Sequence, residues 1–144
     1  MINLRFSPEF APKYQTNLSA GADLVAATDV VIKANSKVKV PTGVWIESID
    51  WEQVPNGFVP ELQIRARSGL AYKHGISLTN GVGTVDADYP DEICVLLWNS
   101  SDHDFVVNKG DRIAQLVVNL CYQILPLKTQ VERKSGFGST GLRV

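Results

Sequence analysis

Apolar residues in this chain gather in short, β-branched runs cut apart by glycine and proline. The runs lie at 29–32 (DVVI), 37–40 (KVKV), 44–46, 62–64, 93–98 (ICVLLW), 105–107 and 113–120 (IAQLVVNL). Residues 37–40 alternate polar and apolar, the period-2 pattern of a strand with one face covered. Residues 93–98 are almost wholly apolar, which predicts a strand buried on both faces. No long stretch repeats apolar positions at the helical period. Residues 68–73 (SGLAYK), closed by His74-Gly75, form the best short helix candidate. Each of the seven prolines would interrupt a helix. Many short strands separated by turns predict an all-β sandwich, barrel or jelly roll.

Composition narrows the class. The 144 residues make one ordinary domain, and 44% hydrophobic with 20% charged residues is the make-up of a globular chain. A formal net charge of −1 excludes a nucleic-acid binder that works through a basic face of the whole domain. It does not exclude a small basic pocket. No apolar run is long enough to span a membrane as a helix. The N-terminus, MINLRFSPEFAPKY, lacks the apolar core of a signal peptide. The expected location is therefore cytoplasmic (or nuclear or viral, within a host cell). Two cysteines, Cys94 and Cys121, are too few for a disulfide scaffold. Both sit in apolar runs, which predicts buried free thiols.

Three segments could carry chemistry. The tail Gly136-Phe-Gly-Ser-Thr-Gly141 matches GxGxxG formally, but only three residues follow it, so no dinucleotide-binding helix can. Its glycines could still turn backbone N–H groups toward an anion. Arg133 and the Ser139 and Thr140 hydroxyls would assist, and Phe137 offers a flat face to a base. Arg65-Ala-Arg67-Ser68-Gly69 ends a strand-like run and opens the helix candidate. It reads either as a plain capped helix, with Ser68 as N-cap, or as a phosphate-receiving helix start charged by Arg67. Asn80-Gly-Val-Gly-Thr-Val-Asp86-Ala-Asp88-Tyr89 reads either as an exposed hairpin or as a site. Asp86 follows Val85, so it could be partly covered, and an extended backbone would place Asp86 and Asp88 on one side. A covered carboxylate can hold a water and take its proton. His74 and His103 are isolated, and neither a zinc-ligand spacing nor a GxSxG motif occurs.

Taken together and in order, the segments resemble a known series. Ser19-Ala-Gly-Ala-Asp23-Leu24, Arg67-Ser-Gly-Leu70, Asn80 through Tyr89, Gly110-Asp-Arg-Ile-Ala-Gln115, and Arg133 with Gly136-Phe-Gly-Ser-Thr-Gly141 resemble the five motifs of the trimeric dUTPases. Two positions depart from that pattern: Pro90-Asp91 follow Tyr89, and only three residues separate Arg133 from Phe137.

The resemblance implies an all-β, distorted jelly-roll-like β-barrel with one short helix, forming a homotrimer with an exchanged C-terminal arm. Residues 1–126 would be the β domain, and 127–144 the arm that closes the active site of another subunit. It implies hydrolysis of a small-molecule nucleotide, dUTP, to dUMP and pyrophosphate, serving dUTP removal and dTMP precursor supply. Neither nucleic acid nor membrane would be a partner. Asp86 would position and deprotonate the water that attacks the α-phosphorus in line. Arg67, Ser68, Gly69 and Gln115 would hold phosphates. The hairpin over 80–94 would meet uracil through the Asn80 amide and the backbone at Gly83, Thr84, Val85 and Cys94. Tyr89 would pack against the sugar. Arg133, Phe137, Gly138 and Ser139 would come from the arm, Phe137 stacking on the base. Mg²⁺ would arrive on the substrate phosphates, with Asp23 reaching it at most through water. Arg112 would stabilise the trimer or pair with neighbouring acids. Two rivals remain: a dCTP deaminase, which shares the fold but carries a longer chain and lacks this arm, and a non-catalytic trimer that keeps the pocket.

Overall fold

The structure is a computed structural model and describes residues 1–124 and Gly136. Its strands are β1 (Ile2–Phe6), β2 (Ala22–Val25), β3 (Val30–Ile32), β4 (Ser36–Pro41), β5 (Val44–Ile49), β6 (Val59–Arg65), β7 (Ile76–Leu78), β8 (Gly83–Asp86), β9 (Cys94–Asn99), β10 (Phe105–Val107) and β11 (Arg112–Cys121). One helix, α1 (Ser68–His74), lies between β6 and β7. The strands pair antiparallel in four sheets: β2-β11-β6-β8, β4-β9-β7, β1-β5 and β10-β3. Among the described residues these ladders do not close into one continuous barrel. Strands of three residues, such as β3, β7 and β10, are too short to bridge adjacent sheets with continuous pairing.

The patterning explains the burial. In β6 the residues Pro60, Leu62 and Ile64 turn inward, while Val59, Glu61 and Gln63 stay half-exposed. β9 is the middle strand of its sheet. Val95, Leu97 and Asn99 are buried, and Cys94, Leu96 and Trp98 half-buried, so its second face is covered in part rather than fully. Leu24, Val40, Val44, Leu62, Val95 and Ile113 belong to one core, each at most 2% exposed. Asn99 is wholly buried, and its side chain is satisfied on both ends. Its amide donates to the Ile32 and His103 carbonyls, and its oxygen accepts from the Ser101 N–H and hydroxyl.

Strands β1, β2, β7 and β8 extend the sequence expectation. β8 hides behind glycine and aspartate, yet its burial alternates strictly, with Gly83 and Val85 in and Thr84 and Asp86 out. The helix starts one residue away from the expected cap. Arg67 is the N-cap, with extended backbone and no side-chain cap bond, and Ser68 is already helical. Its C-terminus follows the expected rule: Gly75, in the left-handed region at φ 68°, sends its N–H back to Ala71 and Leu70. Cys94 and Cys121 are free and half-buried, less covered than expected.

Candidate active site

The 80–94 segment is not the expected hairpin: β8 pairs with β6 and β9 with β4 and β7, so the segment crosses from one sheet to another, and its inward side forms a pocket of about 270 Å³. Asn80, Gly83, Thr84, Val85, Tyr89 and Cys94, all named from the sequence, line this single cavity. Gly83 brings bare backbone into the wall. A Cβ there would stand 3.1 Å from the Ile64 Cβ and 3.5 Å from the Asn80 amide nitrogen. The pocket thus pairs apolar faces with backbone donors and acceptors and one side-chain amide, the make-up of a site for a flat heterocycle. Burial raises the Cys94 thiol above its ordinary range, and the neighbouring Glu92 charge adds to this. The thiol therefore stays protonated and poorly nucleophilic at neutral pH.

Tyr89 stands between this pocket and a second groove of about 890 Å³, which Asp86 lines together with Glu47, Glu61 and Asp88. Asp86 is exposed at the end of β8 rather than partly covered as expected. Asp88 falls in the turn beyond the strand, so the period-2 argument does not carry over to it. The turn holds despite Pro90: the Tyr89 N–H donates to the Asp86 carbonyl at 3.0 Å, and Tyr89 is only 9% exposed. Asp86 sits opposite Glu61 in the β6–β8 register. Like charges directly opposite weaken a ladder, so this pairing adds nothing to the sheet.

A second cluster gathers the other motifs. Asp23 on β2 is 3% exposed; it accepts hydrogen bonds from Arg112 and Gln115 and forms an ion pair with Arg67. Arg112 Nη1 lies 3.3 Å from one carboxylate oxygen; Arg67 Nε lies 3.8 Å, and the Gln115 amide 3.5 Å, from the other. Arg67 also donates to the Arg112 carbonyl at 3.1 Å. The sequence signalled each residue singly but not that Asp23 orients the rest. Ser68 and Gly69 are exposed beside Arg67, and the space around Gly69 is open. The charge available to an anion here is the guanidinium's, since a seven-residue helix adds little of its own.

The two clusters occupy opposite ends of one sheet. Asp23 faces Gln115 and Gln115 faces Arg65, whereas Asp86 faces Glu61, four residues further along β6. Four residues of strand span about 13 Å. A base must lie within about one water of the atom it serves. Asp86 and the Gln115 of the same subunit therefore cannot serve one phosphorus.

Gly136 is buried against Tyr89 in the pocket, where an added Cβ would come to 2.5 Å from the tyrosine ring. Arg133, Phe137, Gly138 and Ser139 lie outside the described residues. No three His, Cys, Asp or Glu side chains gather around a possible metal position among the described residues. Asp23, taken up by two guanidiniums and an amide, does not fit a direct metal ligand. No helix among the described residues is long and apolar enough to cross a membrane.

Comparison with known proteins identifies the family and the fold. A model of the dUTPase family matches residues 9–141. The deoxyuridine 5'-triphosphate nucleotidohydrolase of Rickettsia prowazekii is 46% identical over 138 residues, covering 91% of this chain and 88% of that protein. Its counterpart in Rickettsia typhi is 44% identical over the same span. The crystal structure of dUTPase from Streptococcus mutans superposes with a TM-score of 0.70 at 30% identity, over 84% of this chain and 97% of its own. A mutant dUTPase from phage phi11 of S. aureus, described for the coordination of a structural Mg(II) ion, shares the fold at a TM-score of 0.68 and 23% identity, over 94% of this chain and 99% of its own.

Proposed function

The chain belongs to the dUTPase family, and from that premise we propose how its own residues hydrolyse dUTP to dUMP and pyrophosphate. One observation carries the residue assignment. The six residues Asn80, Gly83, Thr84, Val85, Tyr89 and Cys94 line one pocket, and Asp86 opens on the adjoining groove across Tyr89.

Uracil enters the 270 Å³ pocket edge first. The Asn80 amide and the backbone around Gly83–Asp86 (β8) and Cys94 meet its donors and acceptors. Cytosine presents that pattern reversed and would leave buried groups unpaired, which is costly. A wall fitted to the uracil edge would exclude the methyl group of thymine. The sugar lies over Tyr89 and the α-phosphate beyond it, toward Asp86. Asp86 accepts the proton of a water as its oxygen attacks the α-phosphorus in line. The bond to the bridging oxygen breaks, and pyrophosphate departs. Positioning and charge neutralisation dominate such transfers.

Arg67, Ser68, Gly69 and Gln115 bind the phosphates, and they do so from a second copy of the chain. The separation of about 13 Å along the sheet favours this arrangement. Sites shared between subunits fit the homotrimer expected from the family. The C-terminal arm, bearing Arg133, Phe137, Gly138 and Ser139, then closes the site of another subunit. Gly136 lies against Tyr89 of its own chain, which supports an arm able to reach a uracil pocket; its exchange between subunits is proposed. Magnesium enters as part of the substrate, the metal triphosphate, which needs few or no dedicated protein ligands; Asp23 would reach it at most through water. The bacterial relatives fit action on the cytoplasmic nucleotide pool and lend no support to a nuclear one.

The test is anion-exchange analysis of products from dUTP, dCTP, dTTP and UTP with Mg²⁺, run on the protein and on Asp86→Asn. Conversion of dUTP alone, with turnover reduced about 10²–10⁴-fold and binding retained in the variant, is expected. Near-native turnover by the variant removes Asp86 from its role. Conversion of dCTP to dUTP would instead place the chain with the deaminases.

A further inference from the structure

Excluding a ribose nucleotide is a harder task than admitting a deoxyribose one. The two differ by a single hydroxyl, and a wall that can yield rejects it weakly. The stiffness of Tyr89 therefore matters as much as its presence. Residues 87–93 belong to no strand. Within them Tyr89 is bracketed by two carbonyls, one at the end of β8 and one in its own loop: its N–H donates to Asp86 at 3.0 Å, and its hydroxyl to Glu92 at 3.4 Å. The hydroxyl bond ties the far end of the ring to that loop.

The loop is pegged to the turn between β4 and β5. A Glu92 carboxylate oxygen accepts the Gly43 N–H at 2.7 Å, a contact between residues 49 apart in the chain. Beside it the Thr42 hydroxyl donates to the Ile93 carbonyl at 2.5 Å, and the Ile93 N–H donates to Val44 at 2.8 Å. The turn is itself rigid. Thr42 is wholly buried, and Gly43 holds φ 69° with Phe10 where a side chain would project. Hydrogen bonds to an ionised acceptor are about twice as strong as neutral ones.

We propose that Glu92 is a positioning residue that sets the discrimination between deoxyribose and ribose nucleotides. Its carboxylate, locked to the Gly43 N–H, fixes the backbone carbonyl that receives the Tyr89 hydroxyl, and so holds the ring against the sugar. The proposal rests on the reading above, that Tyr89 faces the sugar.

The experiment measures kcat and KM for dUTP and UTP, with the melting temperature, in the native protein, Glu92→Ala, Glu92→Gln and Tyr89→Ala. In Glu92→Ala the ratio of kcat/KM for dUTP over UTP falls at least about tenfold, mainly through better use of UTP. In Glu92→Gln the ratio is kept, because the amide oxygen can accept the Gly43 N–H. In Tyr89→Ala the ratio falls further. A ratio lost in Tyr89→Ala but kept in Glu92→Ala overturns the proposal and leaves the tyrosine reading standing. A ratio kept in all three overturns both. A loss in Glu92→Gln equal to that in Glu92→Ala overturns the peg as drawn. Should Glu92→Ala fail to fold, Glu92→Asp draws the carboxylate back by one methylene from Gly43; the ratio falls there too, and a native ratio refutes the proposal.

Discussion

Replacing Asp23 by Asn separates two roles that a buried carboxylate can play. The side chain is 4% exposed, with Arg112 at 3.3 Å and Arg67 at 3.8 Å; those side chains are 49% and 27% exposed. At an effective dielectric of about 20 the two attractions total about 9 kcal/mol in gross terms. Desolvation of the carboxylate offsets several kcal/mol of this. In the variant both guanidiniums can turn toward water, and Arg112 is already half in it. The net loss is therefore below the range for a fully buried pair, at about 2 kcal/mol. For a chain of this size that corresponds to a melting temperature lower by about 4–8 °C. Freed from Asp23, Arg67 samples several positions, and KM for dUTP rises about tenfold while kcat falls less. The assay is steady-state hydrolysis of dUTP across a Mg²⁺ titration, with calorimetry alongside. The Mg²⁺ concentration at half-maximal rate should stay in place. The ion-pair account is refuted if that concentration rises severalfold while the melting temperature and the KM at saturating Mg²⁺ remain native.

Three further outcomes follow from the geometry. Gly43→Ala puts a Cβ 2.5 Å from the Phe10 ring at a φ of +69°, and should cost about 2–4 kcal/mol in urea denaturation; Gly110→Ala, at φ +90° with nothing within 4 Å, should cost only about 1–2. Equal costs would mean that Phe10 yields freely. Asp104 accepts the Ala34 N–H at 2.9 Å and Lys33 at 3.1 Å, and these bonds, the backbone one first, hold its carboxyl below 3.8. A lowered carboxylate stabilises the fold above that pH and ceases to as the pH drops through its folded value. Asp104→Asn should therefore be less stable than native at pH 7, with the gap closing in acid; a gap that persists in acid refutes the cause. Deleting residues 135–144 should leave the assembly intact on size-exclusion chromatography and cut kcat/KM at least about tenfold, whereas loss of the assembly would make the tail structural.

The legible part of the fold was the part that uses strongly patterned residues. β4, β9, β10 and β11 announce themselves through β-branched runs, and Gly75 ends the helix at its expected place. β8 and β2 carry the pattern of motifs rather than of strands. Their glycines and aspartates have low strand propensity, and tertiary pairing with β6 and β11 overrides it. The placement of Ser68 failed for a related reason. A serine before a helical run suits an N-cap, but the turn out of β6 assigns that position to Arg67 and leaves Ser68 exposed on the first turn.

The chemistry divides along the same line. The resemblance of Asn80 through Tyr89 to a family motif, rather than residue type, implied the heterocycle pocket, and because Asn80, Gly83 and Tyr89 lie close in sequence one segment brings them together. The exposure of Asp86, its place across Tyr89 from the pocket, and the joining of Asp23, Arg67, Arg112 and Gln115 all depend on contacts between distant strands. So does the grip of Gly43 on Glu92 across 49 residues. Local pattern reflects which face of a strand meets water, and one sequence carries that information. Register and sheet order arise from the packing of all faces at once, so only the folded chain reveals that one strand sets Asp86 and the Asp23 cluster about 13 Å apart.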